Sequence, residues 1–164
     1  MHSRASRYLA RAGQIALMAA AFAVVPWVEA AGPYSFFLVS PCRVVDTRNA
    51  AGPTGGPPLG ANTQRDFPII GYCGIPSGAA AVVMNITVAE PTDFGNLRIS
   101  PAGQAVPLAS AINWVTSDSA VANGAIVPLG SDGSGNQVTV QCDMPYGSTG
   151  HVHLIIDVTG YFAP

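Results

Sequence analysis

A two-residue alternation of side chains is the feature that most constrains what this chain can fold into. From Ala81 to Glu90, Val82, Met84, Ile86 and Val88 fall on one face and Val83, Asn85, Thr87 and Ala89 on the other. Near the C-terminus Val152, Leu154, Ile156 and Val158 share one face, opposite His151, His153, Ile155, Asp157 and Thr159. A strand repeats every two residues and a helix every 3.6, so both runs read as half-buried strands. Shorter candidates are Tyr34–Val39, Arg43–Asp46, Arg65–Ile70, Leu97–Ser100, Ala111–Val115, Ala125–Leu129 and Gln137–Cys142. Gly- and Pro-rich turn signals stand between them, including Pro76-Ser77-Gly78, Pro101-Ala102-Gly103 and Asp132-Gly133-Ser134-Gly135, the last read as a hairpin turn. Many short strands at this spacing, with no helical periodicity after residue 30, predict an all-β antiparallel β-sandwich of jelly-roll type. The Gly- and Pro-rich stretch Asn49–Thr63 is too long for a tight turn and is expected to form a surface loop or a crossover.

Residues 1–30 have a different character. Arg4, Arg7 and Arg11 precede a short apolar run, Ile15–Val25, which is followed by Pro26 and by small residues ending at Ala30. The run is about half the ~20 residues that cross a bilayer, so it reads as a cleaved export signal, leaving residues 31–164 as a single domain. The chain has no lysine. Beyond residue 30 its cations are Arg43, Arg48, Arg65 and Arg98, against eight acidic residues. Nucleic acid needs clustered cations and an anionic membrane surface needs the same, so neither is expected as a partner. The expected location is outside the cell.

In an oxidising compartment three cysteines are suggestive. Cys42 and Cys73 both sit in turn-like surroundings, where a disulfide between loops would stabilise by about 3–4 kcal/mol. Cys142 falls on the apolar parity of its run and reads as a small buried thiol, with pairing elsewhere as the alternative. No CxxC spacing occurs.

The order of the motifs adds a resemblance. Arg43-Val44-Val45-Asp46-Thr47-Arg48 opens the series, followed by Gly71-Tyr72-Cys73-Gly74, Met84-Asn85-Ile86-Thr87-Val88, Gly95-Asn96-Leu97-Arg98-Ile99-Ser100 and Ser110-Ala111-Ile112-Asn113-Trp114. Asp157-Val158-Thr159-Gly160-Tyr161-Phe162 closes it. This series resembles the secreted acidobacterial and actinobacterial modules that open with R-x-x-D-T-R and close with D-V-x-G-Y-F. The resemblance runs from about Phe37 to Phe162 and implies an extracellular module, found alone or appended to secreted enzymes. Trp114 and Cys142 depart from the pattern, which usually has Phe at the first position and no third cysteine.

Several residues invite a chemical role. Arg43, Asp46 and Arg48 can form a charge-assisted cluster tying a strand to a loop, or recognise a carboxylate. His151 and His153 point the same way and are weak candidates for a metal, but Asp157 on their face would lie about 13 Å off along a straight strand. Ser110 with a histidine and Asp157 has the letters of a triad, and Glu90 with Asp93 those of a paired-acid hydrolase, each without local context. Tyr146 and Tyr72 are the best candidates for exposed rings that stack on sugars, while Trp114 is expected in the core. Tyr34, Phe36, Phe37, Leu38 and Val39 form either the module's own first strand or a strand added to a neighbouring subunit.

The leading expectation is a non-catalytic module with no cofactor, acting outside the cell as a structural or interaction unit. Its partners would be other extracellular proteins or further copies of itself. The alternative is a module that binds carbohydrate of the cell envelope.

Overall fold

The computed structural model describes residues 32–164. The export signal expected over residues 1–30 lies outside the described residues. Nine strands follow in chain order: β1 (Ser35–Asp46), β2 (Leu59–Gly60), β3 (Thr63–Phe67), β4 (Ala81–Ala89), β5 (Gly95–Pro101), β6 (Ile112–Trp114), β7 (Ala120–Pro128), β8 (Val138–Asp143) and β9 (His151–Ala163). They form two antiparallel sheets, ordered β1-β9-β4-β7 and β3-β8-β5-β6, with the short β2 paired to the start of β9. Apart from β2, the chain changes sheet at every step except the β5–β6 hairpin. This is the winding of a jelly roll.

The alternation in the sequence is the alternation of burial. In β4, Val82, Met84, Ile86 and Val88 are at most 1% exposed, and in β9 Val152, Leu154, Ile156 and Val158 are fully buried. Each such side chain contributes about 1.5–3 kcal/mol by leaving water. From the second sheet Phe67, Leu97, Val138, Val140 and Trp114 complete the core. Cys142 is buried and free, and its thiol is pushed up to about 12 by burial and by the neighbouring charge of Asp143. A thiol held protonated in this way is inert at neutral pH.

Two local expectations change. Tyr34–Val39 and Arg43–Asp46 fuse into one strand, β1, because Leu38 and Cys42 face Gly160 and Val158 of β9 across a bulge that absorbs the polar Ser40-Pro41 step. The Asp132–Asn136 run is not a hairpin turn, since it joins β7 in one sheet to β8 in the other. Asp132 orders that crossover by accepting hydrogen bonds from the amides of Ser134 and Asn136 and from the Asn136 side chain. At the end of β9, Tyr161 packs against the core and stacks on Phe37, while Phe162, on the opposite side of the strand, pairs with Phe36. Phe36 lies directly over Gly160, where any side chain would displace it.

The disulfide joins Cys42 in β1 to Cys73 in the β3–β4 connection. Gln137 closes the same end of the sandwich: its side-chain oxygen accepts from the amides of Ile69 and Ile70 at 2.7 and 2.9 Å. The long segment after β1 is a compact loop. Asp46 donates its amide to Thr54, and Arg65 donates to the carbonyls of Gly52 and Pro57 at 2.7 and 2.9 Å.

Candidate functional site

Polar side chains collect on the outer faces of both sheets, and the two collections differ in what they leave free. On the first sheet, Arg43 and Asp157 are register partners on β1 and β9 and form a two-point ion pair, with Nε–Oδ1 at 2.8 Å and Nη2–Oδ2 at 3.1 Å. Arg43 also reaches Asp46 at 3.2 Å. Asp46 accepts three bonds from Arg48, two from the guanidinium and one from the backbone amide. Those Arg48 bonds, with the charges of both arginines, hold Asp46 down at about 2 although burial acts against them. Ile155, its partner across the ladder, is buried beside it. The expected cluster of Arg43, Asp46 and Arg48 is present, joined by Asp157. Every charge in it is matched within the chain.

The histidines lie on β9 with ring centroids 6.4 Å apart. Asp157 belongs to Arg43, and the His153 Nδ1 lies 3.2 Å from the Thr47 hydroxyl, which accepts the Leu154 amide. Among the described residues no group of three His, Cys, Asp or Glu side chains is placed to hold a metal ion. The other catalytic letters are also dispersed. The Ser110 hydroxyl accepts from Asn113, and Asp93 accepts the Ser148 hydroxyl at 2.7 Å.

On the second sheet Leu97, Ile112 and Cys142 sit in register and point inward, so the next register row turns Asn96, Asn113 and Asp143 to the outer face. Behind them come Arg98, Gln141 and Gln64, also in register. Arg98 grips Asp143 with Nε at 2.5 Å and Nη2 at 2.8 Å, and its third nitrogen donates to the Pro107 carbonyl at 3.2 Å. Asp143 is held below the usual carboxylate range, chiefly by these bonds.

A concavity of about 290 Å³ opens at the end of this face, lined by Phe94, Gly95, Asn96, Asn113, Asp143, Met144 and Pro145. Its walls are tied to each other. Asp93 receives the Ser148 hydroxyl through its carboxylate and the Trp114 indole N–H, at 2.8 Å, through its carbonyl. Asn62 brackets the facing segment, accepting the Met144 amide at 3.3 Å and donating to the Pro145 carbonyl at 3.4 Å. Gly95 has no room for a side chain, because a Cβ there would run into the Asp143 carbonyl and come within 2.8 Å of the Trp114 ring. Phe94 is 55% exposed, and Tyr146, next to Pro145, is wholly exposed.

Tyr146 therefore stands beside the concavity, whereas Tyr72, half-exposed, lies in the β3–β4 connection at the other end of the sandwich. The two tyrosines are not brought together. Asn96, Asn113, Phe94, Arg98 and Asp143 escaped the sequence reading as a group. Only the outward parity of Asn96, Arg98 and Asn113 could have signalled them, and the β5–β8 register that adds Asp143 is not local. Tyr34 precedes β1, and Phe36, Phe37 and Leu38 in its first half are paired within the chain to β9, with Val39 at the bulge that follows. The disulfide suits an oxidising compartment, and no helix among the described residues is long and apolar enough to cross a membrane. The chain matches no family model and no curated protein, so the resemblance rests on its motifs.

Proposed function

We propose that this is an exported, non-catalytic module that binds saccharide chains of the cell envelope or extracellular matrix through the outer face of its second sheet. One observation carries the reading: the amide side chains of Asn96 and Asn113 and the exposed ring of Phe94 line a braced concavity, with exposed Tyr146 next in sequence to its Pro145 wall. Amides match the hydroxyls of a sugar, and rings or other apolar side chains match its C–H faces. Of the triad and paired-acid residues, Asp157, Ser110 and Asp93 are engaged elsewhere, which supports a role without catalysis. Export is supported by the N-terminal signal pattern together with the disulfide.

Co-sedimentation of the purified protein with insoluble polysaccharides tests the proposal. Retention on at least one polymer is expected, weakened about tenfold by Tyr146→Ala with the melting temperature unchanged. Protein that stays in the supernatant with every polymer overturns it.

A second reading is self-assembly along β1, and a specific observation favours it. The strand is paired on one side only, and Phe36 and Leu38 on its first half are 48% and 80% exposed. An open edge carrying apolar side chains is a template for a further strand, here from a second copy. Light scattering decides this reading. A monomer at all concentrations removes it, and an oligomer that Leu38→Lys dissolves supports it.

A further inference from the structure

Resting on the saccharide reading, we infer that the site takes an uncharged glycan and discriminates against both acidic and amino-sugar polymers, because Arg98 and Asp143 at the concavity neutralise each other. Among the described residues Arg98 is the only cation on the second sheet's outer face, and each of its guanidinium nitrogens makes a hydrogen bond, two to Asp143 and one to the Pro107 carbonyl. A uronic acid or a sulfated sugar is best gripped by two parallel N–H donors of a guanidinium, and the Nε–Nη2 edge that would supply them is taken up by Asp143. An amino sugar needs a free carboxylate. Asp143 has both oxygens bonded to Arg98, and one of them also accepts from Gln141. The pair is only about a quarter exposed, so solvent screens it less than a surface pair and opening it for a ligand is costly.

Apart from Asp143, the residues that line the concavity are neutral. Asn113 commits one amide donor to Ser110, and among the described residues the Asn96 side chain has no hydrogen-bond partner, so amide groups are left for hydroxyls. Phe94, Met144 and Pro145 supply apolar surface for the ring face. The volume of about 290 Å³ is at the low end of small-molecule sites, which suits a short stretch of one chain.

The experiment compares retention on neutral glucans, mannans and galactans with retention on polygalacturonate and on chitosan, between about 0.05 and 0.5 M salt. The expected result is binding to a neutral polymer, changing less than about twofold with salt, and weaker binding to both charged polymers. Asp143→Asn frees the Arg98 guanidinium and should raise retention on polygalacturonate several-fold, a gain that salt removes. A double variant, Arg98→Gln with Asp143→Asn, should keep the wild-type ranking, and thermal melts confirm that each variant is folded. Tighter binding of wild type to a charged polymer overturns the inference and leaves the saccharide reading standing. So does a folded Asp143→Asn protein with unchanged ranking. Failure to bind any polymer overturns the saccharide reading itself.

Discussion

The outer faces of the two sheets are both polar, but they are polar in different ways. On the first, Arg43, Asp46, Arg48 and Asp157 saturate one another, and their bonds join β1, β9 and the loop that follows β1. On the second, a single ion pair is closed while the amides of Asn96 and Asn113 border an open concavity. Charges matched inside the chain hold a fold together. Uncharged hydrogen-bonding groups beside a hollow are what a ligand can use. The motif most conspicuous in the sequence, Arg43 to Arg48, thus belongs to the face that is closed.

This contrast can be broken by substitution. The largest effect on stability is expected from Cys42→Ser with Cys73→Ser. Opening a link between residues 31 apart should lower unfolding free energy by about 3–4 kcal/mol in urea titrations, with retention on polysaccharide unchanged while the protein is folded. Next comes Asp46→Ala, which removes the acceptor shared by two arginines and should cost about 2 kcal/mol, again without loss of binding. If it abolished binding instead, the first sheet would be the recognition face.

Acid sharpens the same point. Asp46 has its pKa lowered on folding, from 3.8 to about 2, so it stabilises the fold fully above pH ~4 and loses that contribution as pH falls toward about 2. Because its arginine partners are solvent-exposed, the contribution is about 1–2 kcal/mol. It should be missing from acid titrations of Asp46→Ala. The smallest effect on stability belongs to Phe94→Ala, which should shift the melting temperature by no more than about 1 °C yet weaken retention about tenfold.

The sandwich was legible in the sequence because β4 and β9 bury one face against the core and leave the other to solvent or to polar cover, which writes burial directly as alternation. Buried Trp114 and Cys142 followed from the same parity. Parity fails where long-range pairing decides. Nothing local places Asp157 opposite Arg43, or Asp143 opposite Asn96, because each pair meets only when distant strands come into register. Asp93 read as half of an acid pair, and its work as a brace for the concavity depends on Ser148 and Trp114 from two other segments. Exposed Tyr146 was visible because the Pro-Tyr-Gly sequence around it suits a turn, where a ring has little to pack against.

The pairing of Ser35 with Ala163 brings the two ends of the domain side by side. From there β9 runs back 13 residues, about 40 Å, to His151, which is tied to Thr92 in the same group of connections that walls the concavity. The module therefore has a handle at one pole and a tip at the other. Anything joined through either end is held at the handle, and the concavity lies at the far pole, clear of the join.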